Sequence, residues 1–142
     1  MKVSECMSTD VQLATPSDTI RDAAGKMRQI DAGVLPVGEN DRLVGMITDR
    51  DIALRGIGQG KGPDTRVGDV MSKDVRFCYE DEDIEAVSRQ MGEFKIRRLP
   101  VLSRQKRMVG ILSLGDISHA DGASSGKALR DISRPGGAHS QV

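Results

Sequence analysis

Two seven-residue stretches hold the chemistry this sequence can offer: G-M-I-T-D-R-D at residues 45–51 and G-I-L-S-L-G-D at residues 110–116. In each, a glycine is followed by a hydroxyl three residues on and an aspartate six residues on. A hydroxyl and an acid at this spacing, where an apolar strand gives way to a helix, form a capping box: each side chain satisfies a backbone amide of the first turn. The same geometry suits a ligand. A helix start presents N–H groups and partial positive charge and can seat a phosphate. The hydroxyl can donate to that phosphate, and the carboxylate can accept both hydroxyls of a ribose. Capping does not require the glycine, so the glycine is expected to leave room for a ligand. No nucleophile–base pair or paired acids at a useful separation accompany these residues, which argues against an enzyme. Cys6 and Cys78 are too few for a disulfide framework or a four-thiolate zinc site. His119 and His139 stand apart without a metal-binding motif.

The two stretches are parts of a longer duplication. V-S-E-C-M-S-T-D-V begins at Val3 and V-G-D-V-M-S-K-D-V at Val67. The offset of 64 positions, Met7 to Met71, holds through Ile20 and Ile84, Met27 and Met91, and Pro36 and Pro100. One residue is then gained in a polar turn, and Gly45 matches Gly110, Thr48 matches Ser113 and Asp51 matches Asp116. Each copy predicts the order β-α-β-β-α. The first strand carries Val11 and Leu13, or Val75 and Phe77. A helix follows Ser17 or Asp18, with Ile20, Ala23, Ala24, Met27 and Ile30 on one face; its counterpart follows the acidic residues 80–83. V-L-P-V or R-L-P-V is the next strand, and L-V-G-M-I-T or M-V-G-I-L-S the third. The last helix starts at Asp49 or Leu114. The expected class is α+β, with two repeats packed sheet-to-sheet about a pseudo-two-fold axis, because one such unit is too small to bury its own layers. Residues 1–55 form the first repeat and 67–120 the second. Residues 56–66 read as a flexible glycine-rich connector, and 121–142 as a largely disordered tail.

Composition narrows the classes further. The 142 residues are 37% hydrophobic and 30% charged, and Lys+Arg and Asp+Glu both number 21. A nucleic-acid binder of this size would carry a basic excess, so nucleic acid is not the expected ligand. The local basic run Lys95, Arg97, Arg98, Arg104, Lys106 and Arg107 is read mainly as a solvated strand edge and turn. No apolar run approaches the roughly 18 residues of a membrane span. The start of the chain lacks the apolar stretch of a secretory leader, and a reducing cytoplasm is the expected compartment.

The ordered set V-x-D-V-M (V-S-E-C-M in the first copy), h-P-V and G-h-h-[ST]-x-x-D, duplicated along the chain, resembles the CBS domain, and the pair resembles a Bateman module of the short bacterial type. The resemblance implies adenosine-containing ligands in two clefts between the repeats: AMP, ADP, ATP, S-adenosylmethionine or NAD. The [ST]-x-x-D hydroxyl would contact phosphate and the aspartate the ribose. Matched residue by residue, it implies one cleft from Ile96, Arg98, Ile111, Ser113 and Asp116 with Ala14 and Thr15. A second would use Ala32, Val34, Met46, Thr48 and Asp51 with Cys78 and Tyr79, and Arg50 would stand in for the cation that Val34 lacks. The first is expected to be the better site, since Thr15 can bond a base edge and Arg98 a phosphate. The competing reading of Arg98 is an ion pair with the acidic residues near Glu82. The implied function is a non-enzymatic sensor, a homodimer that signals to an effector protein. The alternative is a ligand-independent dimerisation module in which both clefts are vestigial and the capping boxes only cap.

Overall fold

The computed structural model describes residues 1–120 and Ile132. The expectation of a disordered tail, and His139, fall outside the described residues, apart from Ile132, which is half-buried. The chain forms two units, Gln12–Val75 and a second made of Met1–Val11 with the chain from Arg76 onward.

In the unit Gln12–Val75, helix α1 (Ile20–Ile30) is followed by strands β1 (Val34–Glu39) and β2 (Arg42–Thr48), which pair antiparallel. α1 starts one to two residues later than the sequence suggests. Thr19, not Ser17 or Asp18, is its cap: Thr19 Oγ1 accepts from the Asp22 amide, and Asp22 Oδ2 accepts from the Thr19 amide. Asp18 instead closes a turn by accepting from the Thr15 amide at 2.9 Å. Ile20, Ala23 and Met27 face the core, whereas Ala24 and Ile30 are exposed, so the apolar stripe is narrower than expected. The chain enters left-handed conformation at Asp31, and the Ala32 amide donates to the Met27 carbonyl, which ends the helix. The first strand is reduced to one parallel bridge, Ala14 with Val37, and lies later than Val11 and Leu13. β2 runs into α2 (Asp49–Asp51), which continues as a turn of π-helix over Ile52–Gly56 and a 3-10 turn over Ile57–Gln59.

The glycine-rich connector is tied to α1 by hydrogen bonds. The Ile20 amide donates to the Thr65 carbonyl at 2.8 Å and the Arg21 amide to the Pro63 carbonyl at 3.2 Å. Arg21 pairs with Asp64, and a side chain at Gly56 would press on Ile20. The first amides of α1 have no partner within the helix, and the connector supplies acceptors for two of them. Beyond it, Val67, Val70 and Met71 enter the same core as Leu35, Val37 and Ile47.

The other unit repeats this plan. β3 (Cys78–Tyr79) pairs parallel with β4 (Arg98–Leu102), β4 pairs antiparallel with β5 (Met108–Ser113), and α3 (Ile84–Phe94) and α4 (Leu114–Ala120) complete it. Phe77, assigned to the first strand, precedes β3 and is exposed. Val3 joins Cys78, Val87, Met91, Leu99, Val101, Leu112 and Ile117 in the core. The cuts between units therefore fall just after the residues that open each sequence repeat. The Val3 segment packs with the second hairpin and the Val67 segment with the first.

The single-residue insertion has a local cause. Asn40 and Asp41, both at positive φ, turn the β1–β2 hairpin in two residues between the paired Glu39 and Arg42. The β4–β5 turn uses three residues, with Lys106 at positive φ and the Ser103 amide donating to the Arg107 carbonyl.

Candidate functional site

Both S/T-x-x-D segments fold as capping boxes. Thr48 Oγ1 accepts from the Asp51 amide at 3.0 Å, and Asp51 Oδ2 accepts from the Thr48 amide at 3.0 Å. Ser113 Oγ accepts from the Asp116 amide at 3.1 Å, and Asp116 Oδ2 from the Ser113 amide at 3.0 Å. All four residues are half-buried. Each hydroxyl accepts through oxygen and keeps its own proton to donate. Each carboxylate commits one oxygen and keeps the other.

The backbone contribution is smaller than expected. α2 has three residues and α4 seven, and the charge at a helix end grows from the alignment of many peptide units. The Asp49 amide donates to the Gly33 carbonyl, and the Arg50 amide to Asp49 Oδ1 at 2.8 Å. With the Asp51 amide on Thr48, the first three amides of α2 are all used. In α4 the Leu114 amide donates to the Arg97 carbonyl, while among the described residues no acceptor meets the Gly115 amide.

The glycine reading also needs correction. A Cβ on Gly45 would lie 2.7 Å from Met71 Sδ and 2.8 Å from the Ser72 carbonyl oxygen. A Cβ on Gly110 would lie 2.6 Å from Met7 Sδ and 2.8 Å from the Ser8 carbonyl oxygen. The space is filled by protein. It admits antiparallel bridges from Met46 to Ser72 and from Ile111 to Ser8, with paired bonds of 2.8–2.9 Å. These glycines tie the M-S dipeptide that opens one sequence repeat to the strand that carries the other repeat's site.

The residues expected at the better site partly assemble within one unit. Arg98 lies directly opposite Ser113 across β4 and β5, and Pro100 opposite Ile111. Opposed residues of an antiparallel pair leave the sheet on the same face, so the Arg98 and Ser113 side chains rise together. Arg98 is exposed. The acidic loop is taken by Arg104, whose Nε and guanidinium bind Asp81 at 2.9–3.0 Å, which holds the Asp81 carboxyl below its usual range. Among the described residues Arg98 makes no ion pair, so its pairing with the Glu82 region does not occur. Ile96 is half-buried against the core. In the other unit Val34 lies opposite Thr48, and Ala32 and Met46 are half-buried. Arg50 is exposed on α2, and it is Arg55 that approaches the Asp51 carboxylate, at 3.8 Å.

Four further candidates implied by the resemblance have these surroundings. Ala14 is wholly buried in the core of its unit. Thr15 is exposed, with its hydroxyl 3.2 Å from that of Ser17. Cys78 is 1% exposed, and burial pushes its thiol up to about 12, so it is a protonated core residue. Tyr79 has one face covered by the Arg104 guanidinium at 4.1 Å and meets Phe77 edge-on at 5.5 Å. Among the described residues no three His, Cys, Asp or Glu side chains gather as a metal site, and no helix is long and apolar enough to cross a membrane.

Sequence reasoning missed one contact that differs between the copies. Gly33 corresponds to Arg97, and a Cβ on Gly33 would lie 2.8 Å from Asp49 Oδ2. A carboxylate thus occupies one copy where the other carries an arginine. Aligning the repeats shows the exchange; its spatial meaning needs the fold.

Known proteins share this fold. The CBS domain family matches residues 3–57 and again 67–122, and this chain belongs to that family. It is 41% identical over 133 residues to the CBS domain-containing protein YhcV of Bacillus subtilis, covering 92% of this chain and 94% of that one. The structure of CBSX2 in complex with AMP matches with a TM-score of 0.74 at 26% identity, covering 86% of this chain and 96% of the other. The CBS domain pair of protein MJ0100, in complex with 5'-methylthioadenosine and S-adenosyl-L-methionine, matches with a TM-score of 0.73 at 28% identity, covering 87% and 97%. The fold is the mixed α and β fold of a CBS pair.

Proposed function

We propose that this chain is a non-enzymatic sensor that binds an adenosyl ligand and passes the binding state to an effector protein in a reducing cytoplasm. The observation that carries this reading is the Ser113–Asp116 box with Arg98 opposite Ser113. It offers a hydroxyl donor, a guanidinium and a carboxylate oxygen on one edge, the set that a phosphate and a ribose require. The relatives solved with AMP, 5'-methylthioadenosine and S-adenosylmethionine support the ligand class. ATP, ADP and NAD share the adenosine and phosphate groups. Ala14 and Thr15, Cys78 and Tyr79 enter this reading only through the family resemblance. The homodimer is supported by Leu54 and Ile57, apolar side chains 51% and 58% exposed on the turns that continue α2. A ligand shifts a conformational equilibrium only by its differential affinity for the two states, so the signal has to lie in that difference.

Thermal unfolding with a panel of adenine compounds tests the reading. A true ligand at one hundred times its dissociation constant adds about 2.7 kcal/mol of stability. The second reading, dimerisation without a ligand, is favoured by capping boxes that are complete on their own. It wins if no adenine compound moves the transition.

A further inference from the structure

The two copies of the site differ in charge at matched places. On one side, Arg97 and Arg98 are exposed at the start of β4, Arg98 stands opposite Ser113, and Leu114 opens α4. By charge count this copy carries two cations, Arg97 and Arg98, and one carboxylate, Asp116. On the other side, Gly33 and Val34 take the places of the two arginines and Asp49 that of Leu114. The Asp49 carboxylate lies where a Gly33 side chain would begin, 2.8 Å from that Cβ position, and it closes the Arg50 amide. Arg55 lies 3.8 Å from Asp51, one helical turn on, where the other copy has Ala120. The two carboxylates Asp49 and Asp51 answer the two cations Arg50 and Arg55.

Resting on the reading above, we propose that the two sites select opposite ligand charge. The Ser113 site takes phosphate-bearing adenosyl compounds. The Thr48 site rejects phosphate and takes adenosyl compounds that are uncharged or cationic at the 5' position, such as thioethers and sulfoniums. A phosphate dianion at the Thr48 site would approach Asp49 and meet a valine where the other site offers a guanidinium. Like charges at such a distance disfavour the complex, and a charge-assisted bond is missing. An uncharged or sulfonium 5' group has no such conflict, and both copies carry the aspartate for the ribose, Asp51 with Arg55 3.8 Å from its second oxygen.

Calorimetry on the full chain with AMP and with 5'-methylthioadenosine tests this. The wild type should bind one AMP per chain. Arg98→Val should lower AMP affinity by about tenfold or more, the loss of a charge-assisted bond, and leave 5'-methylthioadenosine within about twofold. Arg98→Lys should restore most of the AMP affinity. The pair Val34→Arg with Asp49→Leu, which writes the residues of the Ser113 site into the Thr48 site, should create a second AMP site per chain. Two equal AMP sites in the wild type, or an AMP affinity unmoved by Arg98→Val, would overturn the charge selection while leaving the adenosyl sensor intact. If the wild type binds neither compound, the sensor reading falls and the selection falls with it. Should the double variant unfold, the Arg98 variants and the wild-type stoichiometry decide alone.

Discussion

At the scale of single residues, Asp51 and Asp116 combine two roles that ordinarily compete. Each closes a capping box with one oxygen, and each leaves the second oxygen for another partner. For Asp51 that partner is Arg55; Asp116 makes no ion pair among the described residues. Asp116→Ala should therefore weaken AMP binding more than Asp51→Ala, as read by calorimetry well below the melting temperature. Both should lose about 0.5–2 kcal/mol of stability with the cap. A larger AMP loss for Asp51→Ala would reverse the ranking. Cys78 is a different case. Its thiol titrates in the folded protein at about 12 because burial opposes the thiolate, with Glu82 adding repulsion. A group whose folded pKa is raised contributes stability that is complete below its unfolded value and lost as pH rises toward the folded value. Cys78 should thus destabilise the fold progressively above the ordinary thiol range, near pH 9 and beyond. At pH 8 iodoacetamide should label half-buried Cys6 well before Cys78; equal labelling rates would show that the core around Cys78 opens readily.

At the scale of elements, the same substitution should act with opposite sign at three glycines. Gly45→Ala and Gly110→Ala each drive a methyl group to 2.8 Å from a backbone carbonyl oxygen, which the bridging segments can relieve only by moving apart. Each should cost about 1–3 kcal/mol. Gly25 lies inside α1 with nothing within 4 Å of its Cβ position. Gly25→Ala should stabilise by about 0.8–1.0 kcal/mol, the difference in helix propensity. Chemical denaturation of the three variants reads both signs. A neutral Gly45→Ala would mean that the bridge to Ser72 is not needed. The M-S dipeptides and the G-h-h-[ST] strands were both visible as repeats, yet no periodicity says that they touch. Their contact is long-range and crosses between the two sequence copies, so only the tertiary fold reveals why the glycine is there.

At the scale of the whole molecule, a repeat as written in the chain and a unit as folded are different objects. The unit Gln12–Val75 contains Val67, Val70 and Met71, which belong by sequence to the second copy. A fragment of residues 12–75 should unfold cooperatively in a thermal melt. A fragment of residues 1–57 should not, because it lacks three core side chains worth about 1.5–3 kcal/mol each for the larger ones as well as the connector that accepts the first amides of α1. If the 1–57 fragment is the more stable, the Val67 segment contributes little to the first hairpin. Deleting Met1–Val11 should correspondingly expose the Ile111 amide to hydrogen exchange, since Ser8 is its acceptor.

The sequence alone determined the duplication, the α+β order of elements, the pair of S/T-x-x-D boxes and the family. These rest on local spacing, which the helix and strand periods impose on any chain. Grouping Arg98 with Ser113 came from the family resemblance, and the antiparallel register of β4 and β5 sets the two directly opposite. Tertiary structure decided the rest. It buried Cys78 and Ala14, laid Arg104 over Tyr79, bonded the connector to α1, put Asp49 where the other copy has an arginine, and filled the glycine notches with Met7 and Met71. Each of these depends on contacts between residues distant in the chain, whose strength comes from burial and close approach, and such contacts leave no period in the sequence.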